Sequence, residues 1–126
     1  LKKFNTRDGM GLQLLQKRGV KEGIVTSENT KMAERRAAKL KVDYLFQGVS
    51  NKLQIAQQLC DTMDISLEDV AYIGDDLNDM ELLSKVGISG APSSAPSYVK
   101  SSVSIITDSK GGEGAFREFV EKILIH

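Results

Sequence analysis

The sequence predicts an α/β fold with a mainly parallel sheet, and two observations lead to it. Short apolar runs alternate with longer amphipathic segments along the 126 residues, as in successive βαβ units. The run at residues 70–73 is continuously apolar, which is typical of a parallel strand buried on both faces. Gly74, Asp75 and Asp76 follow it, where the carboxyl end of such a strand would meet a ligand. We therefore expect a Rossmann-like three-layer sandwich.

The first predicted elements are a strand end at residues 1–5 and a helix that Thr6 or Asp8 can cap. This helix is expected to run to about Lys17 and to end at Gly19, because glycine commonly ends helices. Its apolar positions are Met10, Leu12, Leu14 and Leu15. The chain would thus open with a strand and a helix before its first complete strand.

The remaining predicted elements alternate between strands and helices. Apolar runs predict strands at residues 22–26, 44–46, 70–73, 87–89 and 103–106. Amphipathic patterns predict helices from Asn29 or Thr30 to Leu40, from Lys52 to Met63, from Met80 onward, and from the glycine-rich turn at residues 110–114 to about Ile125. Ser50 is the expected cap of the second helix, and Pro92 and Pro96 fix a loop. We expect a single domain over residues 1–126.

Composition indicates an ordinary globular domain. Lys plus Arg and Asp plus Glu number 17 each, so net charge argues neither for nor against a nucleic-acid partner, and we expect none. No apolar run approaches the length of a membrane span, so we expect no membrane contact and a cytoplasmic protein. Cys60 is the single cysteine, which excludes a disulfide framework within the chain. Its neighbours Leu59 and Ala56 indicate a buried helix face, so we expect Cys60 to be structural.

Three carboxylates, those of Asp75, Asp76 and Asp79, follow the central strand within five positions. Oxygen ligands of this kind suit Mg²⁺, which proteins often hold with one or two carboxylates, water and a substrate phosphate. In the alternative interpretation, these residues form an acidic loop that caps the next helix and favours its N-terminus. The spacing alone leaves both possibilities open.

The order of three polar residues along the chain separates two designs for phosphoryl transfer. Thr26, Lys52 and Asp75 each follow a predicted strand, so all three would lie at one edge of the sheet. Each has an ordinary alternative, since Thr26 can simply start a turn and Lys52 can be a solvated helix residue. A phospho-receiver domain would present its acidic pair first, whereas here the acidic pair comes last. This order resembles the haloacid dehalogenase-like phosphatases, whose second, third and fourth motifs are similar to residues 24–26, Lys52 and residues 74–79.

Four segments of the sequence indicate one particular family among these phosphatases. They are residues 4–11, 46–48, 70–76 and 110–118, and they resemble the cap-less family of 3-deoxy-D-manno-octulosonate 8-phosphate phosphatases. This family includes phosphatases for nine-carbon ulosonate 9-phosphates and the phosphatase-like domain of animal CMP-sialate synthetases. The resemblance implies a cap-less, haloacid dehalogenase-like fold and a homotetramer. It also implies Mg²⁺-dependent hydrolysis of a sugar-acid phosphate monoester through an aspartyl phosphate.

The resemblance implies a role for each polar residue at the predicted site. The implied phosphate ligands are Thr26, Ser27 through its backbone N–H, and Lys52, which would also pair with the nucleophile. Asp75 would bind Mg²⁺, and Asp76 would be catalytic by supporting both the metal and Lys52. Asp79 is expected to lie behind these groups. Together, a lysine and Mg²⁺ would stabilise the charge of the transferring phosphoryl group.

One family feature is absent from the sequence. The first motif of these phosphatases is an Asp-x-Asp-Gly run on a central strand, which supplies the nucleophile and the acid/base. No such run precedes Thr26, and the resemblance places Asp8-Gly9 after the missing strand. We expect the nucleophile in a preceding segment of the native protein. The alternative is a non-catalytic, phosphatase-like oligomerisation domain, as in a CMP-sialate synthetase.

Three residues are candidates for substrate binding. Glu28 lies two positions after Thr26, where the resembled family commonly carries Arg in its eight-carbon branch and Glu in its nine-carbon branch, and Lys39 also matches the nine-carbon branch. Arg36 and Lys39 are one turn apart on one helix and could grip the carboxylate of a sugar acid, with Arg36 reaching it from a neighbouring subunit. Their alternative is a solvated face. The pattern favours a nine-carbon ulosonate 9-phosphate.

Overall fold

A computed structural model describes residues 10–16 and 19–125, and in this part of the chain helices surround one six-stranded sheet. The strands are β1 (Met10–Gln16), β2 (Gly19–Val25), β3 (Tyr44–Phe46), β4 (Val70–Ile73), β5 (Ile88–Pro92) and β6 (Ile105–Thr107). The helices are α1 (Lys31–Leu40), α2 (Lys52–Met63), α3 (Met80–Leu83), α4 (Ser97–Lys100) and α5 (Gly112–Ile125). Two 3-10 turns, Leu67–Asp69 and Leu77–Asp79, precede β4 and α3. The predicted strand at residues 1–5 and the cap at Thr6 or Asp8 lie outside the described residues.

The strand order is β3-β2-β1-β4-β5-β6, and every neighbouring pair except those of β1 is parallel. Because β1 is antiparallel to both β2 and β4, the other five strands share one direction. Their carboxyl ends form one edge of the sheet, which we call the carboxyl rim. The strand order reverses at β1, and such switch points are where open α/β sheets bind ligands. The predicted mainly parallel α/β fold is confirmed.

The helices cover both faces of the sheet, as a three-layer sandwich requires. Because crossovers between parallel strands are right-handed as a rule, this strand order puts α1 on one face and the helices that connect β3 to β6 on the other. On the second face, α2 packs against α3. The last helix, α5, lies beside α1, because Arg117 of α5 donates to the carbonyl of Leu40 at the end of α1. The core includes Tyr72 of β4 and Phe119 of α5, whose ring lies against Gly90.

The predicted helix from residue 6 or 8 to Lys17 is wrong where the structure describes it. Residues 10–16 form β1, which pairs with β2 from Met10 opposite Val25 to Gln16 opposite Gly19. The apolar positions Met10, Leu12 and Leu14 also fit a period of two, which is the period of a strand. In addition, β1 satisfies the facing backbone groups of β2 and β4, which would otherwise be unpaired in the middle of the sheet.

Most other boundaries agree with the sequence pattern. Thr30 caps α1, as predicted, by accepting the N–H of Ala33 at 3.1 Å. The cap of α2 is Asn51 rather than Ser50, because the Asn51 side chain accepts the N–H of Gln54 at 3.0 Å. The strand predicted at residues 87–89 extends through Pro92, and α4 was not predicted. Cys60 is buried as expected, and no helix in the described part of the chain is long and apolar enough to cross a membrane.

Candidate active site

Thr26 lies at the carboxyl rim directly after β2 and is fully buried. Its Oγ1 accepts the N–H of Glu28 at 3.0 Å, which closes a short turn. Its own N–H donates to the carbonyl of Phe46 at 2.9 Å, and its carbonyl accepts the N–H of Val49 at 3.0 Å. Thr26 therefore does start a turn, as its ordinary alternative proposed, and that turn is fixed to the loop that leads to Lys52. Ser27 and Glu28 are exposed at the rim.

Asp79 is the centre of a polar network at the same rim. Its side chain is fully buried, and both of its carboxylate oxygens accept hydrogen bonds. Oδ2 accepts the backbone N–H groups of Asp75 at 3.0 Å and Asp76 at 3.1 Å. Oδ1 accepts the hydroxyl of Tyr72 and the ammonium of Lys52, each at 2.7 Å. The backbone that carries the two predicted metal-site carboxylates is thus held by a third carboxylate behind it, as expected for Asp79.

Lys52 is buried at the start of α2, with its side chain 2% exposed. Its Nζ also lies 3.4 Å from the side-chain oxygen of Asn78. A buried ammonium requires a charged or strongly polar partner, so the alternative of a solvated lysine is wrong. The expectation that Asp76 supports Lys52 needs a correction, because the carboxylate that pairs with Lys52 in the described structure is that of Asp79.

Tyr72 belongs to this network although the sequence pattern showed it only as part of a buried strand. Burial and the neighbouring charge of Asp79 raise the pKa of Tyr72 well above its usual value, so the hydroxyl remains protonated and donates. The sequence does contain one indication of this role: a tyrosine in a buried strand usually needs a hydrogen-bond partner for its hydroxyl. Asn78 was missed for a different reason, because only the fold brings it to Lys52.

Asp75 and Asp76 provide the oxygen donors expected for a divalent metal. Both residues are half-buried at the rim, and the Oδ1 atom of Asp75 is itself buried. Oδ1 of Asp76 accepts the N–H of Leu77 at 2.7 Å, so this carboxylate also caps the following turn, as the alternative interpretation proposed. Across residues 10–16 and 19–125, no three His, Cys, Asp or Glu side chains gather as a metal site. Two carboxylates still fit Mg²⁺, which keeps several waters and a substrate oxygen in its shell.

The three candidate substrate residues differ in their exposure. Glu28 is exposed at the rim, and Lys39 is exposed near the other end of α1. Arg36 is only 6% exposed and its guanidinium donates to the sulfur of Met32 at 3.1 Å. The interpretation of Arg36 as part of a solvated face is therefore wrong, and Arg36 and Lys39 do not share an exposed face of α1.

Gly74 is required by the packing of Asp79, and this leads to a stability prediction. A Cβ at residue 74 would lie 2.6 Å from Asp79 Cγ and 2.7 Å from its Cβ. Asp79 cannot move away without losing its hydrogen bonds, so we expect Gly74→Ala to lower the free energy of unfolding by about 1–3 kcal/mol. Urea unfolding measures the effect. Gly114→Ala is the control, because its nearest neighbour is Ser109 Oγ at an ordinary 3.5 Å; equal losses in both variants would contradict the steric explanation.

Comparison with known proteins identifies the family to which this site belongs. The sequence profile of haloacid dehalogenase-like hydrolases matches residues 44–119, which include Lys52 and the Asp79 network. The chain belongs to this family. Over 125 residues it is 39% identical to the 3-deoxy-D-manno-octulosonate 8-phosphate phosphatase KdsC of Yersinia pestis, a match that covers 99% of this chain and 67% of that protein.

Two solved structures are similar to this chain. A probable YrbI family phosphatase from Pseudomonas syringae is 32% identical with a TM-score of 0.77, covering 90% of this chain and 76% of that one. The 3-deoxy-D-manno-octulosonate 8-phosphate phosphatase of Moraxella catarrhalis, solved with magnesium, phosphate and KDO, is 26% identical with a TM-score of 0.76 over 90% of this chain and 77% of that one. The resemblance inferred from the sequence motifs is thus confirmed. The chain spans about two thirds of the length of the relatives that it matches in sequence.

Proposed function

We propose that the protein containing this chain is a Mg²⁺-dependent phosphatase that hydrolyses the phosphate monoester of a sugar acid. The observation that supports this most is the buried pair of Lys52 and Asp79 beside Asp75 and Asp76 at the carboxyl rim. This arrangement places one positive charge next to oxygen donors for a metal, which is what phosphoryl transfer requires. The names of the relatives support the substrate class.

Each rim residue has a proposed task. Thr26 and Ser27 hold the phosphate through hydroxyl and backbone donors, and the ammonium of Lys52 neutralises charge on the transferring phosphoryl group. Asp75 would hold Mg²⁺ and Asp76 would support it, and the bound ion would polarise a phosphoryl oxygen. The proposed nucleophile is an aspartate outside residues 1–126, whose carboxylate attacks phosphorus while the bond from phosphorus to the sugar oxygen breaks. The second aspartate of the same motif would protonate the departing sugar oxygen, and water would then attack the phosphorus of the aspartyl phosphate, releasing inorganic phosphate and the free carboxylate.

The eight-carbon ulosonate 8-phosphate is the proposed substrate. The relatives whose names state a substrate act on 3-deoxy-D-manno-octulosonate 8-phosphate. We give these names more weight than the two positions, Glu28 and Lys39, that favour the nine-carbon class. Glu28 remains a proposed substrate contact because it is exposed beside Thr26. We also propose a homotetramer in the cytoplasm. Arg36 and Lys39 lie in the second half of α1, beyond the end that is next to the rim, so a neighbouring subunit would supply these groups to the substrate.

A kinetic comparison tests this proposal. The full-length protein is assayed with Mg²⁺ against eight- and nine-carbon ulosonate phosphates, and residues 1–126 are assayed alone as the matched control. We expect turnover of the eight-carbon substrate by the full-length protein, its loss with a chelator, and none by residues 1–126. Turnover by residues 1–126 would show that the nucleophile lies within them. No hydrolysis by the full-length protein would instead favour a non-catalytic domain, as in the CMP-sialate synthetase alternative.

A further inference from the structure

The hydroxyl of Tyr72 shares one oxygen atom with the ammonium of Lys52. Tyr72 and Lys52 both contact Asp79 Oδ1 at 2.7 Å, and the residues are 0% and 3% exposed. Tyr72 lies on β4, whereas Lys52 begins α2, so the link joins two elements that are distant in sequence. A tyrosine that only filled the core could donate to a backbone carbonyl. This one donates to the oxygen that positions the charged group of the rim.

We propose that Tyr72 is a positioning residue for Lys52 and acts through Asp79. This inference rests on the proposed function, because it concerns the charge that Lys52 presents to a phosphoryl group. Two backbone donors fix Oδ2 of Asp79, and the Tyr72 hydroxyl fixes Oδ1. With both oxygens fixed, the ammonium of Lys52 has one defined place.

The tyrosine also controls how strongly Asp79 holds Lys52. A donor that shares Oδ1 withdraws part of its negative charge, which leaves the ammonium of Lys52 free to interact with an incoming phosphoryl oxygen. Without the hydroxyl, the full charge of Oδ1 would fall on Lys52 in a buried environment where electrostatic interactions are strong. Lys52 would then be drawn toward Asp79 and away from the phosphoryl group.

The central variant is Tyr72→Phe in the full-length protein, which removes the hydroxyl and keeps the ring. The matched control is Tyr44→Phe, because the Tyr44 hydroxyl contacts only a methionine sulfur, that of Met63 at 3.8 Å, among the hydrogen bonds described. Activity is measured well below the melting temperature of each variant. We expect Tyr72→Phe to lower kcat about tenfold with little change in KM, since one hydrogen bond to a charged group is lost. Tyr44→Phe is expected to leave both constants unchanged.

A second readout does not depend on turnover. The ¹H–¹⁵N signal of the Lys52 ammonium, recorded by NMR in the full-length protein, reports its surroundings directly. We expect the signal to shift in Tyr72→Phe and to stay in place in Tyr44→Phe. If kcat and the signal are both unchanged in Tyr72→Phe, Tyr72 is a core residue only and the inference is overturned.

The two readouts also separate this inference from the proposed function. A wild-type protein that hydrolyses no ulosonate phosphate, but whose Lys52 signal depends on Tyr72, would contradict the phosphatase and support the positioning role. If Tyr72→Phe fails to fold, 3-fluorotyrosine at residue 72 replaces it, because it keeps the ring and hydroxyl and makes the hydroxyl a stronger donor. A shifted Lys52 signal then supports the role, and an unchanged one overturns it.

Discussion

Replacing Lys52 with methionine is expected to lower the free energy of unfolding by about 3–5 kcal/mol and to abolish phosphatase activity. Lys52→Met keeps a side chain of similar length but leaves Asp79 buried without its positive partner. An uncompensated buried charge is among the most destabilising single changes in a protein core. Urea unfolding at neutral pH measures the first effect, and turnover of a ulosonate phosphate by the full-length protein measures the second.

The double variant Lys52→Met/Asp79→Asn distinguishes the effect of the unpaired Asp79 charge on stability from the role of Lys52 in catalysis. The asparagine is neutral and its side-chain oxygen still accepts hydrogen bonds, so we expect most of the lost stability to return while activity stays absent. Lys100→Met is the matched control: Lys100 is half-buried and donates to the carbonyl of Ser93 rather than to a carboxylate. A loss in Lys52→Met no larger than in Lys100→Met would show that the buried pair contributes little.

The strands that form the carboxyl rim could be predicted because their signals are local. Four residues of continuous apolar sequence identified β4, and the polar residues after it identified the rim. Thr26, Lys52 and Asp75 were predicted to lie at the rim in the same way, because each follows a strand that its local apolar pattern predicts. The order of these three residues along the chain then indicated the family, which the comparison confirmed.

The assignment of β1 could not be made from local pattern. Residues 10–16 carry apolar positions that fit both a helix and a strand, and Gly11 favours neither strongly. The choice depends on the unpaired backbone edges of β2 and β4, which are neighbours of β1 only in the folded sheet. An isolated segment contains no information about edges that other segments leave open.

The hydrogen bonds of Tyr72 and Lys52 to Asp79 could not be predicted for a related reason. Tyr72 and Lys52 are twenty positions apart, and only the sheet and α2 bring both to Asp79. The sequence placed Asp79 behind the metal site but assigned the support of Lys52 to Asp76. Both carboxylates lie in the same loop, and a sequence does not show which of them points inward. Burial decides it, since Asp79 is fully buried and Asp76 is half-buried.

Asp75→Asn in the full-length protein is expected to reduce Mg²⁺-dependent hydrolysis by about a hundredfold or more while leaving the fold intact. The amide keeps the shape of the side chain but removes a negative charge from the proposed metal site. Because the Asp75 backbone N–H, rather than its carboxylate, bonds Asp79, the buried network should survive the change. Activity is measured across a Mg²⁺ titration, and thermal unfolding with and without Mg²⁺ provides a readout independent of turnover.

The matched control for Asp75→Asn is Asp61→Asn on the exposed face of α2, which also removes one carboxylate charge. We expect this variant to keep both its turnover and the increase in melting temperature that Mg²⁺ causes. Asp75→Asn should lose most of both, because the proposed metal loses one of the few carboxylates near it: in the described part of the chain, no three His, Cys, Asp or Glu side chains gather at one place. Near wild-type Mg²⁺-dependent turnover in Asp75→Asn would remove Asp75 from the metal site and leave Asp76 as the candidate ligand, because the Asp79 carboxylate already accepts hydrogen bonds from Lys52, Tyr72 and two backbone N–H groups.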